Sequence, residues 1–498
     1  MLNSVDFSGR PFHFIGVGGI GMSALAYVLT KRQLPVFGSD LCLNHITQRL
    51  QDNGVHIFWS QDAANFQTFL SSAEPIAAGP AGQSATPAQL PQVICSTAVN
   101  TANPEYKAAV ELGCPIFHRS DVLAALISEA QGIAVAGTHG KTTTSSMIGY
   151  MLWQAGLDPT VVVGGEVNAW EGNARVGAGP HLVAEADESD GSLVKFAPQI
   201  GVITNIELDH PDHYATLDQV IQTFQTFANQ CQTIVGCLDN AEVAQLLARQ
   251  QPQQQILSYG LQVDSAADYT ASQIDYGAHG TRALIWERGV LLGRLELKLL
   301  GQHNLSNALA AVAVGRLLGL EFSQIAAGLI DFEGARRRFE LRGEANQISF
   351  IDDYAHHPSE VQVTLAAARL RVEDAATHYR RVVAVFQPHR YSRTLTFLDS
   401  FARAFSDADL VITTDIYSAG EANLGQVTGQ QLADAIAAHH SQVAYQPTLQ
   451  SLSAYLMETL EPGDLVLFLG AGNLNRIIPD LVTFYQQLEQ RQAYCGST

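Results

Sequence analysis

The sequence predicts an α/β protein of three domains built mostly on parallel sheets, and three observations predict it. Apolar strand-like runs alternate with amphipathic helical runs along almost the whole chain, the order that winds parallel strands between helices. At 498 residues the chain is long enough for about three separate cores. Two apolar runs end in glycine-rich turns that open a helix, at 16–21 and 137–140.

In the first third, residues 13–17, 35–39, 55–59, 93–97 and 115–118 read as strands. Residues 22–31 and 104–112 carry the apolar spacing of helices between them. A Pro/Gly/Ala-rich stretch at 79–91 breaks the pattern and reads as a surface insertion. A helix at 121–130 leads onward, so the first domain is 1–122. The second unit, 123–334, opens with a buried strand at 132–136. It continues through strands at 181–186, 201–205 and 233–238 and a helix at 217–230, and a glutamine-rich patch at 249–255 reads as a solvated connection. From 269 to 300 the alternation becomes antiparallel in character, with 282–286 and 294–299 paired around Arg288-Gly289. Helices at 304–318 and 323–330 close the unit. The run Arg336-Arg337-Arg338 marks the next boundary, and strands at 348–352, 381–387, 410–414 and 465–469 define a third domain, 335–498.

Composition narrows the function. A hydrophobic fraction of 47% with 15% charged residues describes a well-packed enzyme rather than a disordered chain. The net charge of −20 opposes a nucleic-acid partner, which needs a basic footprint, but leaves room for small anions held by a few local cations. Six cysteines form no CxxC pair and no zinc spacing, so they read as reduced thiols of a cytoplasmic protein. The apolar stretch 12–29 holds four glycines in its first ten positions, which suits a strand-to-helix turn and not a leader or membrane span.

The most informative segment is 134–144, Ala-Val-Ala-Gly-Thr-His-Gly-Lys-Thr-Thr-Thr. A strand ending in glycines, a lysine and hydroxyls before a helix is what a nucleotide-phosphate cradle requires. Glycines let backbone N–H groups converge on phosphate oxygens, and the helix N-terminus adds positive potential. Gly137, Thr138, His139, Gly140, Lys141, Thr142 and Thr143 would hold the phosphates, Lys141 neutralising β/γ charge and the Thr142 hydroxyl reaching a metal. Two residues separate the glycines here, where the usual motif has four. The central domain therefore reads as P-loop ATPase-like, a mostly parallel sheet with an antiparallel β extension.

Carboxylates cluster where neighbouring strands end. Glu185-Ala186-Asp187-Glu188-Ser189-Asp190 closes one apolar run, and Asn205-Ile206-Glu207-Leu208-Asp209-His210-Pro211-Asp212-His213 closes the next. Strand ends beside a phosphate loop are placed to bind Mg²⁺, with Thr142, Glu185 and His210 as the expected ligands. In the first domain, Gly16, Gly18, Gly19 and Gly21 follow a strand and open a helix, and Ser39-Asp40 ends the next strand where a ribose would lie. That turn serves either a nucleotide diphosphate or helix–strand packing alone. Asn304 and Asn307 stand one turn apart on a helix face, fit either to read an adenine edge or, for Asn304, to cap the helix. In the third domain, Asp352–Pro358 and Phe386–Thr394 follow strands; the second carries Arg390 and Arg393, spaced to grip a carboxylate.

Taken in order, 14–26, 137–144, 185–192, 205–212, 303–307, 352–358 and 386–394 resemble the Mur ligases, and the resemblance spans essentially the whole chain. It implies Rossmann-like N- and C-terminal domains, the first for a UDP-sugar and the last for an amino acid, around a central ATPase domain. The implied activity, through an acyl phosphate, is ATP-dependent joining of L-alanine to the carboxylate of UDP-N-acetylmuramate; attachment of a recycled tripeptide to the same sugar is the alternative. ATP and Mg²⁺ (or Mn²⁺) are the implied cofactors, with no nucleic acid or membrane partner and a monomer or weak homodimer. The implied catalytic groups are Lys141, His210, Asp353, His356, Arg390 and Arg393, with Asp353 or His356 taking the amine proton. Ser96, Thr97, His118, Arg119 and Tyr354 join the glycine turn, Ser39, Asp40 and the two arginines as substrate contacts.

Two departures stand out. No lysine occurs between Lys195 and Lys298, so the carbamylated lysine of other Mur ligases is absent, as the resemblance implies for the alanine-adding branch. Asn473 stands where an aspartate is expected and is given no ligand role. Two other readings use only part of these features. A nicotinamide oxidoreductase leaves the lysine loop idle, and a nucleotide switch leaves the third-domain turns idle.

Overall fold

The computed structural model describes residues 4–71, 90–262 and 266–496. Most of the insertion expected at 79–91 lies outside them. The first sheet is wholly parallel: β1 (Phe12–Ile15), β2 (Val36–Ser39), β3 (His56–Phe58), β4 (Gln92–Cys95) and β5 (Ile116–His118), in the order β3-β2-β1-β4-β5. Every residue of β1 is buried, because helices cover both faces of a parallel sheet. The chain leaves β1 at the point where strand order reverses, and the glycine turn sits there. The Ile20–Lys31 helix follows, with Met22, Ala24, Leu25, Val28 and Leu29 packed inward.

The central sheet has ten strands: β6 (Gln131–Ala136), β7 (Thr160–Val167), β8 (Gly172–Arg175), β9 (His181–Glu185), β10 (Ile200–Ile203), β11 (Thr233–Cys237), β12 (Gln255–Gly260), β13 (Tyr269–Gly277), β14 (Gly280–Glu287) and β15 (Val290–Leu297). Their order is β15-β14-β13-β12-β11-β10-β6-β9-β7-β8, antiparallel where β8 meets β7 and from β13 to β15, parallel between. The expected hairpin is β14–β15. The consequence for the site is that β6, which runs into the Gly137–Lys141 turn, lies directly between β9 and β10, which carry the two acidic ends.

The third sheet runs β16-β17-β21-β18-β19-β20, from β16 (Glu340–Ala345), β17 (Ile348–Asp353), β18 (Arg381–Phe386), β19 (Leu410–Thr413), β20 (Val443–Tyr445) and β21 (Asp464–Leu469). Only β16 is antiparallel. Strands β17, β18 and β21 are nearly continuous apolar runs and form the floor of two cores, one on each face. The domains also touch: Asn173 of β8 donates to Ser23 Oγ (2.9 Å), and Arg49 donates to the Trp170 carbonyl (3.2 Å). The five cysteines whose side chains are described are free. Among the described residues no helix is long and apolar enough to cross a membrane.

Candidate functional site

The loop between β6 and the Lys141–Gln154 helix, the expected phosphate cradle, can be made only with glycines at its two bends. Gly137 has φ +144°, and a Cβ there would lie 1.9 Å from Thr204 Oγ1. Gly140 has φ +82° and packs so closely on Asn307 that a Cβ would sit 2.7 Å from its Oδ1. Asn205 fixes the loop from β10, its carbonyl accepting from Thr138 N (3.0 Å) and its Oδ1 from His139 N (2.8 Å). The first-turn amides of the Lys141–Gln154 helix remain for an anion.

Lys141 folds back over the loop. Its Nζ donates to the carbonyls of Gly137 (2.7 Å) and Thr138 (3.2 Å) and to both oxygens of Glu188 (3.0 and 2.8 Å). Burial opposes its charge, but Glu188 and Asp187 outweigh burial and hold its pKa above the ordinary lysine range. Glu188, itself almost fully buried, is pushed up to about 7 by desolvation, which Lys141 only partly offsets.

The expected metal trio divides into two groups around this lysine. Thr142 Oγ1 donates to Glu185 (2.9 and 3.0 Å), and Gly164 N also binds Glu185 (2.6 Å). His210 does not join that pair. It sits at φ +54° with its Nε2 3.9 Å from Glu188 and 3.6 Å from Asp209. Ligand atoms of Asp187, Glu188 and His210 lie within 4.8 Å of one another. The reason is the turn after β9: Asp187 and Glu188 reach over Lys141 toward the β10 end, while Glu185, still in the strand, faces Thr142. Burial lowers the His210 pKa, favouring the neutral ring that can donate a lone pair. Carboxylate and hydroxyl oxygens with a single imidazole are donors that fit a hard divalent cation.

A second cluster, His139, Glu207 and His357, is of a different kind. Glu360 lies 3.2 Å from His139 Nδ1, and Glu207 lies 3.5 Å from its Nε2. Burial alone would lower the His139 pKa, but the two carboxylates raise it to about 10. His139 lies between these two carboxylates and its charged form is favoured there, so we read the cluster as an ion-pair network.

The third-domain turns face the same mouth. Asp353 is buried, and its carboxylate accepts from Phe339 N (2.7 Å) and Ala355 N (2.8 Å); desolvation raises its pKa to about 6. His356 Nδ1 is 2.8 Å from the Tyr354 carbonyl, which can only accept. Its proton is therefore on Nδ1, and burial holds its pKa down to about 3. The Tyr354 ring lies under the Arg337 and Arg338 guanidiniums, at 4.9 and 5.2 Å. The two arginines expected to await a carboxylate already hold carboxylates of the central domain. Arg390 is 2.5 Å from Asp212, and Arg393, 3% exposed, binds Asp209 through Nε at 2.8 Å. Arg393 is thus a buried pin between domains; Arg390, 31% exposed, is the accessible one.

In the first domain, Gly18 N donates to Asp40 Oδ2 (2.8 Å), so Asp40 closes on the glycine turn itself. Beside that turn a cavity of about 510 Å³ is lined by Gly16, Gly19, Gln61, Ser96, Val99 and Asn103. Ser39, expected at the ligand, is fully buried: its hydroxyl binds Glu105, which also binds His13 (2.9 Å) and Asn65 (2.6 Å). A strand-end serine turned into the domain interior cannot reach a ribose. Thr97 is exposed and outside the cavity lining. His118 caps the following helix, and Arg119 bridges to Asp190 (2.9 Å) while lying against Gly21, joining the glycine turn to the acidic turn.

Asn304 is not the cap of its helix; Gly301 is, and the Asn304 amide turns back to the Leu300 carbonyl (2.8 Å). Asn307 is the amide that reaches the phosphate loop. Sequence reasoning did not single out Glu105 or Glu360, and it placed Glu207 only within the acidic run 205–213. Glu360 had a local signal, as the third residue of a helix whose cap is His357; Glu105 had none.

Three family models match in succession: the Mur ligase family catalytic domain over 11–131, the Mur ligase middle domain over 135–315 and the Mur ligase glutamate ligase domain over 337–472. The chain is 67% identical over 489 residues to the UDP-N-acetylmuramate–L-alanine ligase of Nostoc punctiforme, covering 97% of this chain and 98% of the relative. Identity to the enzyme of the same name from Cyanothece is 63% over 491 residues, covering 98% of each. Among solved structures, UDP-N-acetylmuramate–alanine ligase of Thermotoga maritima superposes with a TM-score of 0.77 at 28% identity, covering 96% of this chain and 99% of that one. A murein peptide ligase from Psychrobacter arcticus shares the fold, with a TM-score of 0.69 at 22% identity, covering 96% and 99%.

Proposed function

The chain belongs to the Mur ligase family, and from that premise we infer that it joins L-alanine to the carboxylate of UDP-N-acetylmuramate, converting ATP to ADP and phosphate. The single observation that carries the site reading is the convergence of Lys141 with Glu188 and His210, drawn from β6 and the strands on either side of it. Tripeptide addition is not favoured, since the relatives at 60–67% identity bear the alanine-ligase name.

A carboxylate is a poor electrophile, so amide formation needs it activated first. The γ-phosphoryl group passes from ATP to a carboxylate oxygen, and ADP leaves. The alanine amine then attacks the acyl carbon, the bond from that carbon to the phosphate oxygen breaks, and phosphate departs with the oxygen. Lys141 offsets the charge of two anions brought together, and it exchanges its Glu188 contact for phosphate to do so. Thr142 with Glu185, and Asp187 and Glu188 with His210, would hold Mg²⁺, which when bound neutralises phosphate charge. The loop from Gly137 to Thr143 cradles the phosphates, with Asn307 braced against Gly140 and Asn304 on the adenine side. Gly16, Gly18, Gly19 and Gly21 with Ser96 and Arg119 take the UDP portion. Arg390 trades Asp212 for the alanine carboxylate and so orients the amine. Of the two candidate proton acceptors, His356 is supported over Asp353: its Nε2 keeps a lone pair, whereas backbone N–H groups occupy both Asp353 oxygens.

Phosphate release is expected only when UDP-N-acetylmuramate, ATP, Mg²⁺ and L-alanine are all present. Equal release with a tripeptide in place of alanine, or release independent of the sugar, would overturn this reading.

A further inference from the structure

We propose that Glu360 is a positioning residue that makes the nucleotide loop of the central domain and the amino-acid turn of the C-terminal domain move as one unit, so that alanine and nucleotide strengthen each other's binding; this rests on the ligase reading above. The carboxylate stands in the first turn of the Pro358–Glu373 helix and is 12% exposed. One oxygen, Oε2, accepts from the backbone N–H groups of His356 (3.0 Å) and His357 (3.3 Å), which fixes the His356-His357 turn to the start of the helix. The other, Oε1, receives the His139 ring at 3.2 Å, across 221 residues of sequence, and lies 3.8 Å from Arg338 in the segment joining the two domains. A single side chain therefore touches the phosphate loop, the turn that carries His356 and the interdomain connection.

A second strap runs parallel to the first. Ser359 donates to Glu207 (2.8 Å), Glu207 faces the far side of the His139 ring (3.5 Å), and the His357 ring packs on that of His139 with centroids 4.7 Å apart. His139 is thus held between one carboxylate of its own domain and one of the neighbouring domain, and it immediately precedes Gly140 and Lys141. Swinging the C-terminal domain away breaks the His139–Glu360 and Ser359–Glu207 contacts together and separates the two stacked rings, so neither strap survives without the other. The closed placement of the amino-acid turn and the phosphate-ready placement of the loop are therefore favoured together. Coupling of this kind is reciprocal: whatever alanine does for nucleotide affinity, nucleotide does for alanine.

The test is the affinity of the full-length enzyme for a non-hydrolysable ATP analogue, with UDP-N-acetylmuramate and Mg²⁺ present, measured by titration calorimetry with and without saturating L-alanine. In the wild type, alanine is expected to tighten analogue binding about 10-fold. In Glu360→Gln, which keeps an oxygen for the helix cap but loses the charge facing His139, the effect should fall below about 2-fold. His139→Asn should lose the coupling from the other partner, and the double variant should lose no more than either single one. Full coupling retained in folded Glu360→Gln, or independent losses that multiply in the double variant, would overturn the proposal while leaving the ligase reading intact. A wild type that neither binds alanine nor turns over would remove both.

Discussion

Lys141→Ala should lower kcat by about 10³-fold while UDP-N-acetylmuramate binding stays within about 2-fold of the wild type. The first figure follows from the ammonium's position. It is the cation that follows β6, bonded to the loop's own carbonyls and to Glu188, and its charge is lost where two anions approach. The second follows from distance along the fold, because the cavity beside Gly16 belongs to another domain and another sheet. The variant should still fold. Burial already raises the Glu188 pKa to about 7, so losing Lys141 lets that carboxyl take a proton rather than remain as a stranded charge. Steady-state turnover and sugar-binding titration check both parts; near-normal turnover would exclude the lysine's role.

Arg393→Ala should be costly in a different way. Its guanidinium and Asp209 form a pair in which the side chains are 3% and 4% exposed. Burial pushes the Asp209 pKa up, and the Arg393 guanidinium reverses this to well below the ordinary carboxylate range. Truncation strands a buried charge at the junction of two domains, a loss of about 3–5 kcal/mol. The thermal midpoint should fall by several degrees, and adding Asp209→Asn should recover most of the loss, because the stranded charge goes with it. Arg393→Ala should also raise the KM for alanine far more than that for ATP, since the pin anchors the turn carrying Arg390. An unchanged midpoint, or equal effects on both KM values, would contradict this account.

The parts of the fold that could be read from sequence are those whose signal is local. Strands such as β6, β10, β18 and β21 are short apolar runs because helices bury both faces of a parallel sheet. Edge strand β16, Glu-Leu-Arg-Gly-Glu-Ala with Leu341 half exposed, has no such run and went unseen. In β7 two glycines and a glutamate interrupt the β-branched series, and β12 begins inside a glutamine-rich stretch that looked like a connection. The site divides along the same line. Most of its motifs were legible because they sit at the ends of strands; Asn304 and Asn307 lie instead on the Gln302–Leu317 helix. Which carboxylate closes on which cation was not legible, because those partners lie far apart in sequence: Glu188 on Lys141 across 47 residues, Asp209 on Arg393 across 184, Glu360 on His139 across 221. Ser39 shows the converse, a strand end in the expected place whose side chain is claimed by Glu105 from inside the domain.

The account's central claim is that phosphate leaves from an activated sugar carboxylate, and oxygen labelling tests it most directly. UDP-N-acetylmuramate carrying ¹⁸O in its carboxylate is incubated with enzyme, ATP, Mg²⁺ and L-alanine, and the released phosphate is analysed by mass spectrometry. One labelled oxygen in each phosphate formed is the predicted result; phosphate free of label, with both labelled atoms still outside it, would contradict the mechanism.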